Sequence, residues 1–152
     1  MDQMAAERCF SQYKNGIFRY ALSITKDAHL SEDILQETFL RFLTAVCLPG
    51  KEQAWLYRVA RNLCCDHLRK AKWEEPETEL PAHRETQYAY IELIASLTPA
   101  EQEIVTLKIV GGLTHREIGA VLGITARAAQ KRYERAIASL REMEDEHGTK
   151  TV

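Results

Sequence analysis

The sequence predicts an all-α protein: two small helical bundles joined by a flexible acidic linker, with a helix-turn-helix near the C-terminal end. Three observations carry this. Apolar residues recur at helical spacing along most of the 152 residues, and no segment alternates as a strand would. The pattern breaks between Trp73 and Thr86, where two prolines and five glutamates interrupt it. From Gly112 to Leu140, capping residues, a glycine stop and two apolar faces succeed one another in helix-turn-helix order. The expected partition is a bundle over 1–72, a linker over 73–86, a second bundle over 87–147 and a tail over 148–152.

The first helix spans Met4 to Lys26, with Phe10, Tyr13, Ile17, Tyr20, Ala21 and Ile24 on its apolar side. Asp27 or Ser31 can cap a second helix, which runs to about Val46 and carries Ile34, Leu35, Phe39, Phe42 and Leu43. Pro49-Gly50 marks a turn. A third helix covers about Glu52 to Lys72, with Leu56, Val59, Ala60, Leu63 and Leu68 available for packing. After the linker, a helix over Gln87–Ser96 precedes Thr98-Pro99-Ala100-Glu101, a capping box with proline in the first helical turn. The helix opened by that box is expected to run unbroken to Gly111-Gly112. Thr114 to Glu117 is a second capping box, Gly123 is a left-handed stop, and Thr125 can cap the last helix.

The last helix separates into two stripes. Ala129, Tyr133, Ala136 and Leu140 can pack inward, the alanines permitting close approach. Arg127, Gln130, Lys131, Glu134 and Arg135 offer the groups that read base edges: guanidinium for guanine, amide for adenine, carboxylate for cytosine. The third helix presents Arg58, Arg61, Asn62 and Arg69 as a polar side that can hold phosphates and bases. Trp55 and Tyr57 suit either stacking on an unpaired base or packing in a core. On the second helix, Asp33, Gln36, Glu37 and Leu40 recur on one side and suit a basic protein partner.

A net charge of −2 looks wrong for a DNA-binding chain until it is mapped. Arg58–Lys72 and Thr114–Arg141 each carry +4, whereas Asp27–Glu37 and Trp73–Glu85 each carry −4. Phosphates feel these blocks locally, because salt screens charges beyond about 8 Å. No run approaches the ~20 apolar residues of a membrane span. The start, MDQMAAERCF, lacks the layout of a secretory signal, so a cytoplasmic location without membrane insertion is expected. Cys9, Cys47, Cys64 and Cys65 show no CxxC spacing, and reduced thiols without metal or cofactor are expected. The five histidines suggest no catalytic set, and no enzymatic activity is expected.

Three segments in order resemble the sigma-70 family of RNA polymerase sigma factors: DAHLSEDILQETFLRF (27–42), AWLYRVARNLCCDHLRK (54–70) and LTPAEQEIVTLKIVGGLTHREIGAVLGIT (97–125). The size and the two-bundle layout resemble its extracytoplasmic-function (ECF) group. The resemblance implies that Asp33, Gln36 and Glu37 dock on the β′ clamp helices of core polymerase. It implies that Trp55, Arg58, Arg61, Asn62 and Arg69 engage the −10 promoter element, with Pro49–Gln53 in the loop that captures an extruded base. It gives the linker a path near the polymerase active centre. The second bundle would bind the β flap and the −35 element, which Gln130, Lys131, Glu134 and Arg135 would read while Arg116 and Arg127 hold phosphates. An anti-sigma factor is a further partner usual in the family. Two departures stand out: a short stretch between Arg41 and Trp55, and Ala129-Gln130 where many relatives have valine and a basic residue. The latter implies an unusual −35 preference. Two alternative readings stay open on the sequence. One is a helix-turn-helix regulator with an N-terminal sensing or dimerisation bundle; the other is a metal- or redox-responsive protein using Cys64, Cys65 and His67.

Overall fold

A computed structural model describes residues 3–45, 50–71 and 85–148. Within them the elements are α1 (Gln3–Thr25), α2 (Ala28–Thr44), α3 (Glu52–Ala71), α4 (Glu85–Ile94), α5 (Pro99–Val105), a π-helical turn (Thr106–Val110), α6 (His115–Leu122) and α7 (Ala126–Gly148). No strand occurs among the described residues. The expected linker lies almost wholly outside them, and α4 begins at its last residues.

Local chemistry sets the helix ends. Lys26 takes a left-handed conformation (φ 57°) that stops α1. Of the two candidate caps for α2, Asp27 serves: its carboxylate accepts from the Leu30 amide at 3.1 Å. Ser31 is instead buried and donates to the Asp27 carbonyl at 2.7 Å. Thr98 and Thr114 each close a full capping box, with Glu101 and Glu117 respectively. Replacing Thr114 by Ala removes the side-chain half of the α6 box, and a loss of about 1 kcal/mol in urea unfolding is expected. An unchanged urea midpoint would refute that contribution.

One departure from the sequence reading lies between Thr98 and Gly111. The helix does not run through as a single α-helix. It widens at Thr106, whose buried hydroxyl donates to the Gln102 carbonyl at 2.7 Å, and it closes with the Gly111 amide on the Thr106 carbonyl at 3.0 Å. The wider turn accommodates one extra residue and re-aims the chain toward α6.

Phe42 meets Trp55 at 5.5 Å between ring centroids and Phe39 at 6.2 Å, which joins α2 to α3. A single buried apolar cluster then continues through both halves of the chain, from Ile17, Tyr20, Ile34, Phe42, Leu56 and Tyr57 to Leu107, Leu113, Ile118 and Ala129. The two halves therefore pack on each other, an arrangement that the sequence left open.

Candidate nucleic-acid interface

The recognition unit is built from its turn outward. Gly123 sits at φ 73°, a conformation a side chain disfavours, and the chain reverses there. Gly119 is buried, and its carbonyl accepts from the Ile124 amide at 2.9 Å. Thr125 caps α7 by accepting from the Ala128 amide at 3.1 Å. Ile118 and Val121 of α6 and Ala129 and Ala136 of α7 are buried, with Tyr133 and Leu140 partly so. Ser139 donates to Glu101 at 3.3 Å and ties α7 to the start of α5. That bond and those to Thr98 hold the Glu101 carboxyl below its ordinary pKa: the Thr98 backbone bond contributes most and burial opposes it.

With the inward stripe fixed, the other stripe faces out. Arg127, Gln130, Lys131, Glu134 and Arg135 are exposed, as is Arg116 on α6. Gln130 donates to Glu134 at 3.2 Å, so the amide and carboxylate are held side by side. Lys131 and Arg135 form no ion pair among the described residues.

The third-helix candidates divide. Arg58, Asn62 and Arg69 are exposed, Arg69 donating to Asp66 one turn back. Trp55 is half-buried against Phe42. Tyr57 is 1% exposed, with its ring 5.4 Å from that of Tyr20. Burial and then the neighbouring Tyr13 push its hydroxyl pKa up. Arg61 is held by Glu103 of α5, Nε to Oε1 at 2.5 Å. Burial works against the Arg61 charge, but the hydrogen bond and charge of Glu103 outweigh it, and the pKa rises. The same Glu103 oxygen accepts from the Tyr20 hydroxyl at 2.8 Å. Sequence reasoning missed Glu103, because nothing local distinguishes it from any solvated glutamate.

On α2, Asp33 and Gln36 are exposed or nearly so, Leu40 is 60% exposed, and Glu37 accepts from Arg41 at 3.0 Å. Of the expected base-capture loop, Pro49 lies outside the described residues, and Gln53 donates to the Gly111 carbonyl. Cys9, Cys64 and Cys65 are free thiols; burial, then the neighbouring Cys65, pushes the Cys64 thiol up to about 12, leaving it inert at neutral pH. Among the described residues no three His, Cys, Asp or Glu side chains group as metal ligands would, and no helix is long and apolar enough to cross a membrane.

The chain matches the Sigma-70 region 2 family over residues 9–74 and the Sigma-70, region 4 family over residues 87–140. It is 31% identical over 137 residues to the ECF RNA polymerase sigma factor SigM of Bacillus subtilis, covering 80% of this chain and 84% of that one. It is 28% identical to the ECF sigma factor SigE of Mycolicibacterium smegmatis, covering 93% of this chain and 62% of the longer relative. Its fold matches the sigma factor RpoE of Bartonella quintana, solved with the anti-sigma factor NepR, at a TM-score of 0.74 and 19% identity over 91% of this chain and 96% of that one. Two sigma regions in order on one chain favour this family over a stand-alone helix-turn-helix regulator. The chain belongs to the sigma-70 family of RNA polymerase sigma factors, in its extracytoplasmic-function group.

Proposed function

We propose that this chain is a promoter-specificity subunit that divides its work among three helices. The outer face of α2 (Asp33, Gln36, Glu37) docks on the β′ clamp helices of core RNA polymerase. The polar side of α3 (Trp55, Arg58, Arg61, Asn62, Arg69) engages the −10 element. On α7, Gln130, Lys131, Glu134 and Arg135 read the −35 element while Arg116 and Arg127 hold phosphates, and the second bundle meets the β flap. The polymerase does the chemistry, and this protein contributes binding energy that positions and opens the duplex. It works in the cytoplasm, with an anti-sigma factor as a further partner.

The observation that carries this is the outward stripe of α7. It displays exposed donors and an acceptor of the kinds that pair with base edges, on a helix locked from behind by Ala129, Ala136 and Ser139. Two weak readings on one chain combine through effective concentration, so neither element has to be bound tightly by itself.

The test separates the helices. Lys131→Ala and Arg135→Ala should each weaken binding to duplex −35 DNA by about tenfold, and a variant that loses a phosphate contact should lower the salt slope by about 1. Asp33→Ala and Glu37→Ala should weaken core-polymerase binding and leave −35 binding intact. The Glu37–Arg41 pair is exposed, so its loss should cost little stability, ~0.5 kcal/mol or less. Equal loss of both activities in all four variants would break the division of labour.

A further inference from the structure

We propose that Glu103 is an internal stand-in for a DNA phosphate, closing the C-terminal half against the Arg61 edge of the −10 face so that Glu103 and promoter DNA compete for Arg61. The proposal rests on the reading of Arg61 as a DNA-contacting residue.

Four hydrogen bonds and one buried ring converge on the seam between the halves. Glu103 takes the Arg61 guanidinium at 2.5 Å and the Tyr20 hydroxyl at 2.8 Å through one oxygen, so α5 grips α3 and α1 together. One residue earlier, Gln102 accepts from Lys26 at 2.9 Å. Gln53, in the expected base-capture loop, donates to the Gly111 carbonyl. Tyr57 lies in the slot between Gly16 and Gly111: a Cβ at Gly16 would collide with its hydroxyl, and one at Gly111 would stand 3.3 Å from it. Gln53 and Arg61 belong to the surface expected to meet the −10 element. In the closed molecule both are spent on the C-terminal half.

Exchange of one anion for another is chemically direct here. A guanidinium binds carboxylate and phosphate oxygens through the same N–H donors. The side chains of Arg61 and Glu103 are 31% and 18% exposed. They are therefore dry enough to hold and wet enough to be displaced by a polyanion. Arg61 is offered in full to DNA only when its bond to Glu103 is broken, and apparent affinity falls by the fraction of molecules in which it is.

The experiment uses the full-length protein and a labelled mixed-sequence single-stranded DNA 12-mer at low salt, read by fluorescence anisotropy. Small-angle scattering reports the radius of gyration in parallel. Glu103→Gln keeps an acceptor for Tyr20 while removing the charge, and Glu103→Ala is the stronger variant. Both should expand the molecule and tighten oligonucleotide binding, on the order of tenfold for Glu103→Ala. The gain should vanish in Arg61→Ala/Glu103→Gln, which separates α3 binding from nonspecific binding by α7. If neither Glu103 variant changes the radius or the affinity, the latch is overturned. If the radius grows without any gain in affinity, the competition is overturned, and the fault lies in the reading of Arg61 rather than in the closure.

Discussion

Tyr57→Ala is expected to give the largest loss of stability among single substitutions in this chain. The side chain is 1% exposed, edge-on to Tyr20, and wedged where Gly16 and Gly111 leave room for it. Truncating a buried aromatic costs the transfer energy of the ring plus the cavity it leaves, about 3–5 kcal/mol. In urea that is a midpoint drop of roughly 1–3 M. The site resists collapse because glycine lines it on two sides and neither has a side chain to lean in. Sequence alone left Tyr57 between two roles, a base-stacking aromatic and a core residue, and the variant decides between them. A stacking residue would lose promoter opening and keep its urea midpoint. A midpoint within about 0.5 M of the parent would therefore end the core assignment.

Gly119→Ala should produce the largest functional loss from the smallest chemical change. A Cβ there would stand 2.6 Å from the Ile124 carbonyl oxygen, 3.2 Å from the Thr125 carbonyl carbon and 3.3 Å from the Ala126 amide. All three are backbone atoms of the turn, so no flexible tip can swing away. Overpacking of this kind costs about 1–3 kcal/mol. Against it stands the better helix propensity of alanine, about 1 kcal/mol. The balance is a modest fall in melting temperature. Function suffers more, because the displaced turn carries the start of α7 with it. Gln130 and Lys131 lie just beyond, and a small tilt at the turn would move them away from the bases they are proposed to read. Binding of −35 duplex should fall more than tenfold while binding to the isolated β′ clamp helices holds, since the proposed docking face on α2 belongs to the other half of the chain. Unchanged −35 affinity would show that the close approach of the turn to Gly119 does not set the recognition helix.

Much of this architecture is legible in the sequence. The two capping boxes, the Gly123 stop and the inward stripe of α7 are all written within a few residues of where they act, and each forms as its pattern indicates. The exposed stripe comes with the buried one, because a helix has only so many faces. Other features are not legible. Gly119 reads as an ordinary helix-weakening glycine until the turn is seen to fold back on it. The π turn at Thr106 depends on a buried hydroxyl finding a carbonyl, and burial is a tertiary property. Tyr57 could be assigned only once Gly16 and Gly111, far apart in the chain, were brought to the same place.

By itself, then, the amino-acid order determined where most helices begin and end, which stripe of each turns inward, and that the chain carries a helix-turn-helix with an outward polar face. These depend on hydrogen bonds and apolar spacing over three or four residues, which every local segment carries with it. Only the assembled molecule decided that the two halves close on one another, that Glu103 finds Arg61 across 42 positions, and that Tyr20 joins them. A glutamate exposed on its own helix becomes a partner only when a second surface of fitting shape and opposite charge is laid against it, and no short-range pattern encodes that meeting.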